Sequence, residues 1–214
     1  AFVGCVLPFA AEWYQGRGVA AERIGHPLAE GRPPPLPETA CVALLPGSRP
    51  QTALRLISPM ATAVRSLGVA AVIGRAPDVP AALLEGHGFP VVEGADEALR
   101  LASVALVGAG TASLHAALAG RPLLTVAALR PSSAWLLRKL LRVEDLAIPN
   151  LVLGRRAFPE LHQEEVTARA IRAGLAPLLE SPDRWREPLE ALADRMRTQD
   201  FGANAARRIQ ARCE

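Results

Sequence analysis

Short apolar runs at 41–45, 69–73, 90–92, 104–107 and 123–126 alternate along this chain with stretches of helical periodicity at 52–67, 95–102 and 111–119. Strands separated by helical crossovers pair in parallel, and the crossovers cover both faces of the sheet they build. The runs at 104–107 and 123–126 are apolar without a period-two alternation, as strands buried on both faces require. The expected fold is therefore α/β, a Rossmann-like parallel sheet with right-handed crossovers. In such a sheet the first and fourth strands are neighbours where the strand order reverses, and ligands bind in the crevice beyond their carboxyl ends.

Two loops fall at that crevice: Pro46-Gly47-Ser48-Arg49 after the first run and Gly108-Ala109-Gly110-Thr111-Ala112 after the fourth. Each ends a strand and opens a helix. Gly47 and Ser48 can present backbone N–H groups beside a helix N-terminus, and Arg49 adds a bidentate donor, a combination suited to an oxyanion. A plain strand-to-helix turn with a surface arginine fits the same residues. Gly108 and Gly110 permit close backbone approach, and Thr111 is placed to cap the helix through Ala119 while its hydroxyl meets a phosphate. Tight helix-on-strand packing explains those glycines equally well. No acidic residue follows the next strand, which ends in Val126-Ala127-Ala128, so the glycine pattern is not a nicotinamide fingerprint.

His115 stands one helical turn past Thr111 on the same face, pointing either into the crevice or into the core. His26 lies in Gly25-His26-Pro27-Leu28, at the junction between two parts of the chain, and His87 reads as solvent-exposed. In Ala147-Ile148-Pro149-Asn150-Leu151 the Asn150 amide needs partners if buried, and it serves either a sugar or a turn. Glu160-Leu161-His162-Gln163 reads as polar capping ahead of the next helix, or as further donors to a ligand.

The net charge of +3 over 214 residues comes from scattered arginines and suits small anions; there is no basic, aromatic-rich strand of the kind that stacks nucleic-acid bases. Cys5, Cys41 and Cys213 have neither zinc-ligand spacing nor the even count of a disulfide framework, and imply a reducing compartment. The uncharged stretch 101–114 is shorter than the roughly 18 to 20 apolar residues that cross a bilayer. At 132–142, Trp135, Leu136, Leu140 and Leu141 alternate with Arg138, Lys139 and Arg142, an amphipathic basic helix that either packs on the core or lies on an anionic membrane. Four regions are expected: a strand and helix at 1–30, a proline-rich linker at 31–40, the Rossmann-like unit at 41–180, and packing helices at 181–214. Starting at Ala1, directly in a strand-like run, the chain reads as part of a longer protein.

Taken in succession, Leu7-Pro8-Phe9, Gly25-His26-Pro27-Leu28, Leu45-Pro46-Gly47-Ser48-Arg49, Gly110-Thr111-Ala112, Pro149-Asn150 and Glu160-Leu161-His162-Gln163 resemble the lipid-A-disaccharide synthases. The resemblance covers nearly the whole chain and corresponds to the carboxyl-terminal half of those enzymes. It implies the carboxyl-terminal domain of a glycosyltransferase B fold and a missing amino-terminal Rossmann-like domain. It further implies transfer, with inversion, of 2,3-diacylglucosamine from its UDP conjugate to 2,3-diacylglucosamine 1-phosphate in lipid A biosynthesis. Gly47, Ser48, Arg49, Gly110, Thr111, Ala112, His115, Asn150 and Gln163 would then bind the donor, with no metal or cofactor, and the catalytic base would lie in the absent half. A lipid-linked acceptor, the inner face of the cytoplasmic membrane and a homodimer are the implied partners, with terminal helices that either cross back or exchange between subunits. The sequence departs from the family at His115, where the family has an acid, and at Ala109, Gln51 and Ala10. Those departures keep two alternatives open: a non-catalytic nucleotide-sugar-binding module, and another glycosyltransferase B-like enzyme such as a UDP-N-acetylglucosamine 2-epimerase.

Overall fold

The computed structural model describes residues 2–31, 33–128, 145–197 and 200–210, so the basic segment at 132–142 and Cys213 lie outside the described residues. The apolar runs form a six-stranded, wholly parallel sheet from β3 (Cys41–Leu45), β4 (Ala70–Arg75), β5 (Val91–Glu93), β6 (Val104–Gly108), β7 (Leu123–Ala127) and β8 (Glu160–His162). Their spatial order is β5-β4-β3-β6-β7-β8. Strand order therefore reverses between β3 and β6, which pair from Val42↔Val104 to Leu45↔Val107. This is the doubly wound order in which the first and fourth strands lie side by side.

Both faces of the sheet are covered, which is why its central strands are apolar throughout. From β3, Val42 and Leu44 point to one side, into a core completed by Leu56, Ile57, Met60 and Val64 of α2 (Pro50–Leu67) and Ile171, Leu175 and Leu178 of α6 (Ala168–Glu180). Ala43 and Leu45 point to the other, onto α3 (Gly94–Leu101), α4 (Thr111–Leu118), α5 (Ile148–Leu153) and α7 (Arg186–Met196) through Leu99, Leu114, Leu153 and Leu192. Each large aliphatic side chain fully buried in this way contributes roughly 1.5–3 kcal/mol.

Two strands escape a reading by hydrophobic pattern. One is β8, whose three residues Glu160, Leu161 and His162 continue the sheet beyond β7 rather than merely capping a helix. The other is β2 (Ala20–Arg23), which pairs in parallel with β1 (Phe2–Cys5) across the short helix α1 (Pro8–Gln15). Both are short, and both carry charged residues that only their tertiary partners satisfy.

The chain is stapled by a buried arginine. Arg121, at the turn between α4 and β7, is 1% exposed and donates from Nε to the Leu99 carbonyl (2.9 Å), from Nη1 to that of Pro34 (3.1 Å) and from Nη2 to that of Pro35 (2.8 Å). Burial lowers its pKa, and three carbonyls take the place of a carboxylate. The final helix, α8 (Phe201–Gln210), turns back to the amino-terminal strands: Arg208 pairs with Glu22 and the Phe201 N–H bonds the Glu30 carboxylate, while Arg23 reaches the Arg197 carbonyl at 3.2 Å. Arg121→Met strands three buried carbonyls and is expected to lower unfolding free energy by roughly 2–4 kcal/mol, read by urea denaturation, with faster proteolysis at 33–37.

Candidate functional site

At the carboxyl ends of β3 and β6 the two glycine loops face one another across a cleft of about 520 Å³. Gly47, Ser48, Arg49, Gly110, Thr111, Ala112 and His115 line it; the other two candidates, Asn150 and Gln163, do not. Gly47 (φ 120°) and Gly110 (φ 133°) both adopt backbone conformations that a side chain would strain. At Gly108 the demand is for space, because a Cβ there would come within 3.1 Å of the Pro46 carbonyl oxygen and 3.3 Å of Leu56. The glycines therefore set both the turn of each loop and the closeness of one loop to the other.

Two helices start at the cleft without a side-chain cap. Arg49 occupies the N-cap of α2 and Gly110 that of α4, and neither position supplies a capping hydrogen bond. Thr111 is thus the first helical residue, not the cap expected from the sequence; Ser113 instead turns back, donating from Oγ to the Gly110 carbonyl at 2.7 Å. The same Oγ accepts the Ile148 N–H at 3.3 Å and so ties the start of α4 to that of α5. In α4 the Ser113 N–H turns back to the Gly110 carbonyl at 3.1 Å, which leaves the N–H groups of Thr111 and Ala112 as donors for an anion; in α2, Pro50 has no N–H and the Thr52 N–H bonds the Arg49 carbonyl at 2.9 Å, so that helix contributes mainly the positive end of its dipole. Arg49 is exposed, and its guanidinium makes no hydrogen bond or ion pair with the described residues. Among the described residues no Asp or Glu lines the cleft.

His115 forms the wall farthest along α4. Its Nε2 lies 2.8 Å from Oδ1 of Asp96 in the first turn of α3, with the imidazole 18% and the carboxylate 92% exposed. On its other side His115 also lines a second cavity, under residues 27–34. His26 is nearby and 9% exposed, and its Nδ1 accepts the Leu28 N–H at 3.1 Å. Burial, and then the neighbouring His115, lower the pKa of His26 below its ordinary 6.5.

Asn150 is 1% exposed, and its amide is wholly engaged in the fold. Nδ2 donates to the Phe158 carbonyl (2.9 Å) and to Glu160 Oε1 (2.6 Å), while Oδ1 accepts the N–H groups of Ala157 and Phe158 at 2.9 Å. The buried Glu160 carboxylate also accepts the N–H groups of Leu146 and Ala147 at the start of α5, and bonds His162 Nε2 at 2.9 Å. The Glu165 carboxylate accepts the His162 backbone N–H at 2.9 Å, completing a capping box at this turn. This network sets the position of β8 and α5. Gln163 follows it at φ 53°, half-buried at the carboxyl edge of the sheet, with no hydrogen bond from its side chain to the described residues.

Sequence reasoning missed Thr52, Gly74 and Ala95 in the cleft, and Asp96 behind it. Gly74 carries a signal in principle, since a Cβ there would sit 2.9 Å from the Gly94 carbonyl oxygen and 3.0 Å from the Ala98 Cβ, where α3 presses on β4. Asp96 carries none, because its only mark is a contact across two helices.

Comparison with known proteins settles the family. The lipid-A-disaccharide synthetase family matches residues 83–211. The chain belongs to this family. It is 33% identical over 199 residues to the lipid-A-disaccharide synthase of Anaeromyxobacter dehalogenans, spanning 82% of this chain and 52% of that protein. The Myxococcus xanthus synthase is 35% identical over 191 residues, with 78% and 50% covered. The chain thus spans about half the length of these lipid-A-disaccharide synthetase relatives. Among solved structures it resembles the calicheamicin glycosyltransferase CalG4 (TM-score 0.58, 20% identity, 89% of this chain and 46% of that one). It also resembles the spinosyn forosaminyltransferase SpnP (TM-score 0.59, 16% identity, 92% and 51%). The likeness to these two is one of fold, the glycosyltransferase B architecture.

A histidine held below its ordinary pKa is charged more readily in the unfolded chain, so the unfolded state binds more protons and stability rises with pH. Unfolding free energy is therefore expected to fall as pH drops below 6.5, by at most about 1.4 kcal/mol per pH unit from His26. Asn at position 26 keeps an acceptor for the Leu28 N–H, and His26→Asn should flatten that part of the profile in urea titrations between about pH 5 and pH 7.5.

Proposed function

We propose that this chain is the donor-binding half of a lipid-A-disaccharide synthase. In the full-length protein it would hold UDP-2,3-diacylglucosamine while the sugar passes, with inversion, to 2,3-diacylglucosamine 1-phosphate and UDP leaves. One observation carries this reading: at the switch point of the sheet, two uncapped helix N-termini and an unpaired arginine converge on a cleft that no carboxylate lines. That environment favours a diphosphate. As the bond to the sugar lengthens, negative charge grows on the leaving UDP, and fixed N–H groups with the Arg49 guanidinium stabilise it without reorganising. Gly110, Thr111 and Ala112 supply the donors on one wall, and Gly47 and Ser48 those on the other. Asn150 acts at one remove, by placing α5 and β8; Gln163 lies outside this cleft at the β8 edge, and its side chain, without a partner among the described residues, would reach the donor only where the sugar extends beyond the cleft.

His115 takes the place of the family's acid beside the ribose. With Nε2–H directed at Asp96, its Nδ1 accepts one hydroxyl, and the exposed Asp96 carboxylate offers an acceptor for another. The base that activates the acceptor belongs to the part of the relatives' length that lies beyond this chain. A lipid acceptor places the reaction at the inner face of the cytoplasmic membrane, with the protein bound peripherally; no helix among the described residues is long and apolar enough to cross a bilayer.

A second reading, a nucleotide-sugar-binding module without transferase activity, draws on the same His115 substitution. An epimerase has less support, since the donor cleft has no carboxylate pair to shuttle a proton at the sugar ring. Calorimetric titration with UDP, against UMP and ADP, tests the leading reading. UDP should bind selectively, and Arg49→Ala should weaken it about tenfold or more through loss of charge-assisted bonds, with a smaller loss for His115→Ala. Absence of UDP binding in both this chain and the full-length protein would overturn it; binding without transfer in the full-length protein would favour the module.

A further inference from the structure

Arg49 borders two clefts. On the opposite flank of the first turns of α2 lies a second one, of about 580 Å³, bounded by Arg49, Thr52 and Arg55 on the helix and by Ala109, Ala127 and Ala128 beyond β6 and β7. Arg49, Thr52 and Arg55 recur every three residues and so share a helix face. Six residues at 1.5 Å each set the two arginines about 9 Å apart along the axis, a separation that one phosphorylated hexose can span.

Among the described residues, the second cleft, like the first, has no Asp or Glu in its lining. Arg55 is exposed, and its guanidinium, like that of Arg49, has no hydrogen bond or ion pair to the described residues. Most arginines of this chain are placed otherwise. Arg75 sits on Glu93, Arg155 on Glu187, Arg156 on Asp145 and Arg186 on Asp183, each at 2.7–2.8 Å. Two unpaired guanidinium groups opening on one acid-free cavity create a local positive potential with planar, bidentate donors, the geometry that selects phosphate over a point charge.

We propose that this second cleft is a phosphomonoester subsite that takes the 1-phosphate of the acceptor sugar, with Arg55 as its main ligand and Arg49 as the cation between it and the donor diphosphate. The proposal rests on the donor-binding reading given above. That reaction must bring a phosphomonoester close to a diphosphate, and their mutual repulsion is offset most directly by a cation between them. Arg49 borders both cavities and satisfies that condition. Arg55 borders only the second, so the two roles separate by mutation.

The test titrates the 214-residue chain with glucosamine 1-phosphate, both alone and at saturating UDP, for the wild type and Arg55→Gln, with circular dichroism confirming equal folding. The expected result is binding of the sugar phosphate in the presence of UDP, with Arg55→Gln raising its Kd about tenfold and moving the UDP Kd less than about twofold. Competition between the sugar phosphate and UDP would overturn the proposal by showing a single shared site. So would an unchanged sugar-phosphate Kd in Arg55→Gln, or inorganic phosphate binding as tightly as the sugar phosphate. If this chain binds no UDP, the donor reading is decided by the same titration of the full-length protein, and the titration without UDP still decides the second cleft by whether Arg55→Gln weakens it.

Discussion

The pairing of β3 with β6 is the contact on which everything at the carboxyl edge depends. These strands are separated by about sixty residues, and they meet because their side chains alternate between two apolar cores, leaving neither any face that water can cover. Once they pair, the chain that leaves each must turn sharply into its helix, and the two turns are forced to face each other. A cleft between helix N-termini is thus a by-product of burying Val42 to Leu45 against Val104 to Val107. The glycines then decide how tightly it closes, and the arginines which charge it admits.

Charge is distributed with a clear division of labour. Several carboxylates are engaged within the fold: Glu160 collects four donors inside the protein, Glu93, Glu187 and Asp145 neutralise surface arginines, and Asp96 faces His115. Among the described residues the clefts flanking Arg49 are lined by none. A net charge of +3 over the whole chain conveys little of this, because the potential at a binding site is set by which few groups lack partners.

How much was legible in the sequence follows the range of the interactions involved. The β–α alternation, the doubly wound order and the two glycine loops are encoded in local pattern, and the structure has them where the pattern put them. Strand β8 was unreadable because a buried Glu and a His are apolar to no scale; they are tolerated only because Asn150, two backbone N–H groups and Glu165 come to meet them. Thr111 looked like a helix cap for want of knowing that Ser113 would bond back to Gly110. Arg121 passed as one more scattered arginine, since nothing near it in sequence announces three carbonyls from distant segments.

That arginine has a mechanical consequence. Its guanidinium grips main-chain atoms at Pro34 and Pro35, so the route of the connecting segment is fixed by backbone shape and is indifferent to the side chains around it. Proline supplies no N–H to compete for those carbonyls and cannot rotate about φ to release them. The segment therefore behaves as a clamped rod: whatever swings with strands β1 and β2 must pivot upstream of Pro34, and it meets the six-stranded unit through the clamp, through Leu7 and Ala29 packed on its second core, and through the turn at Pro27–Ala29 against α4.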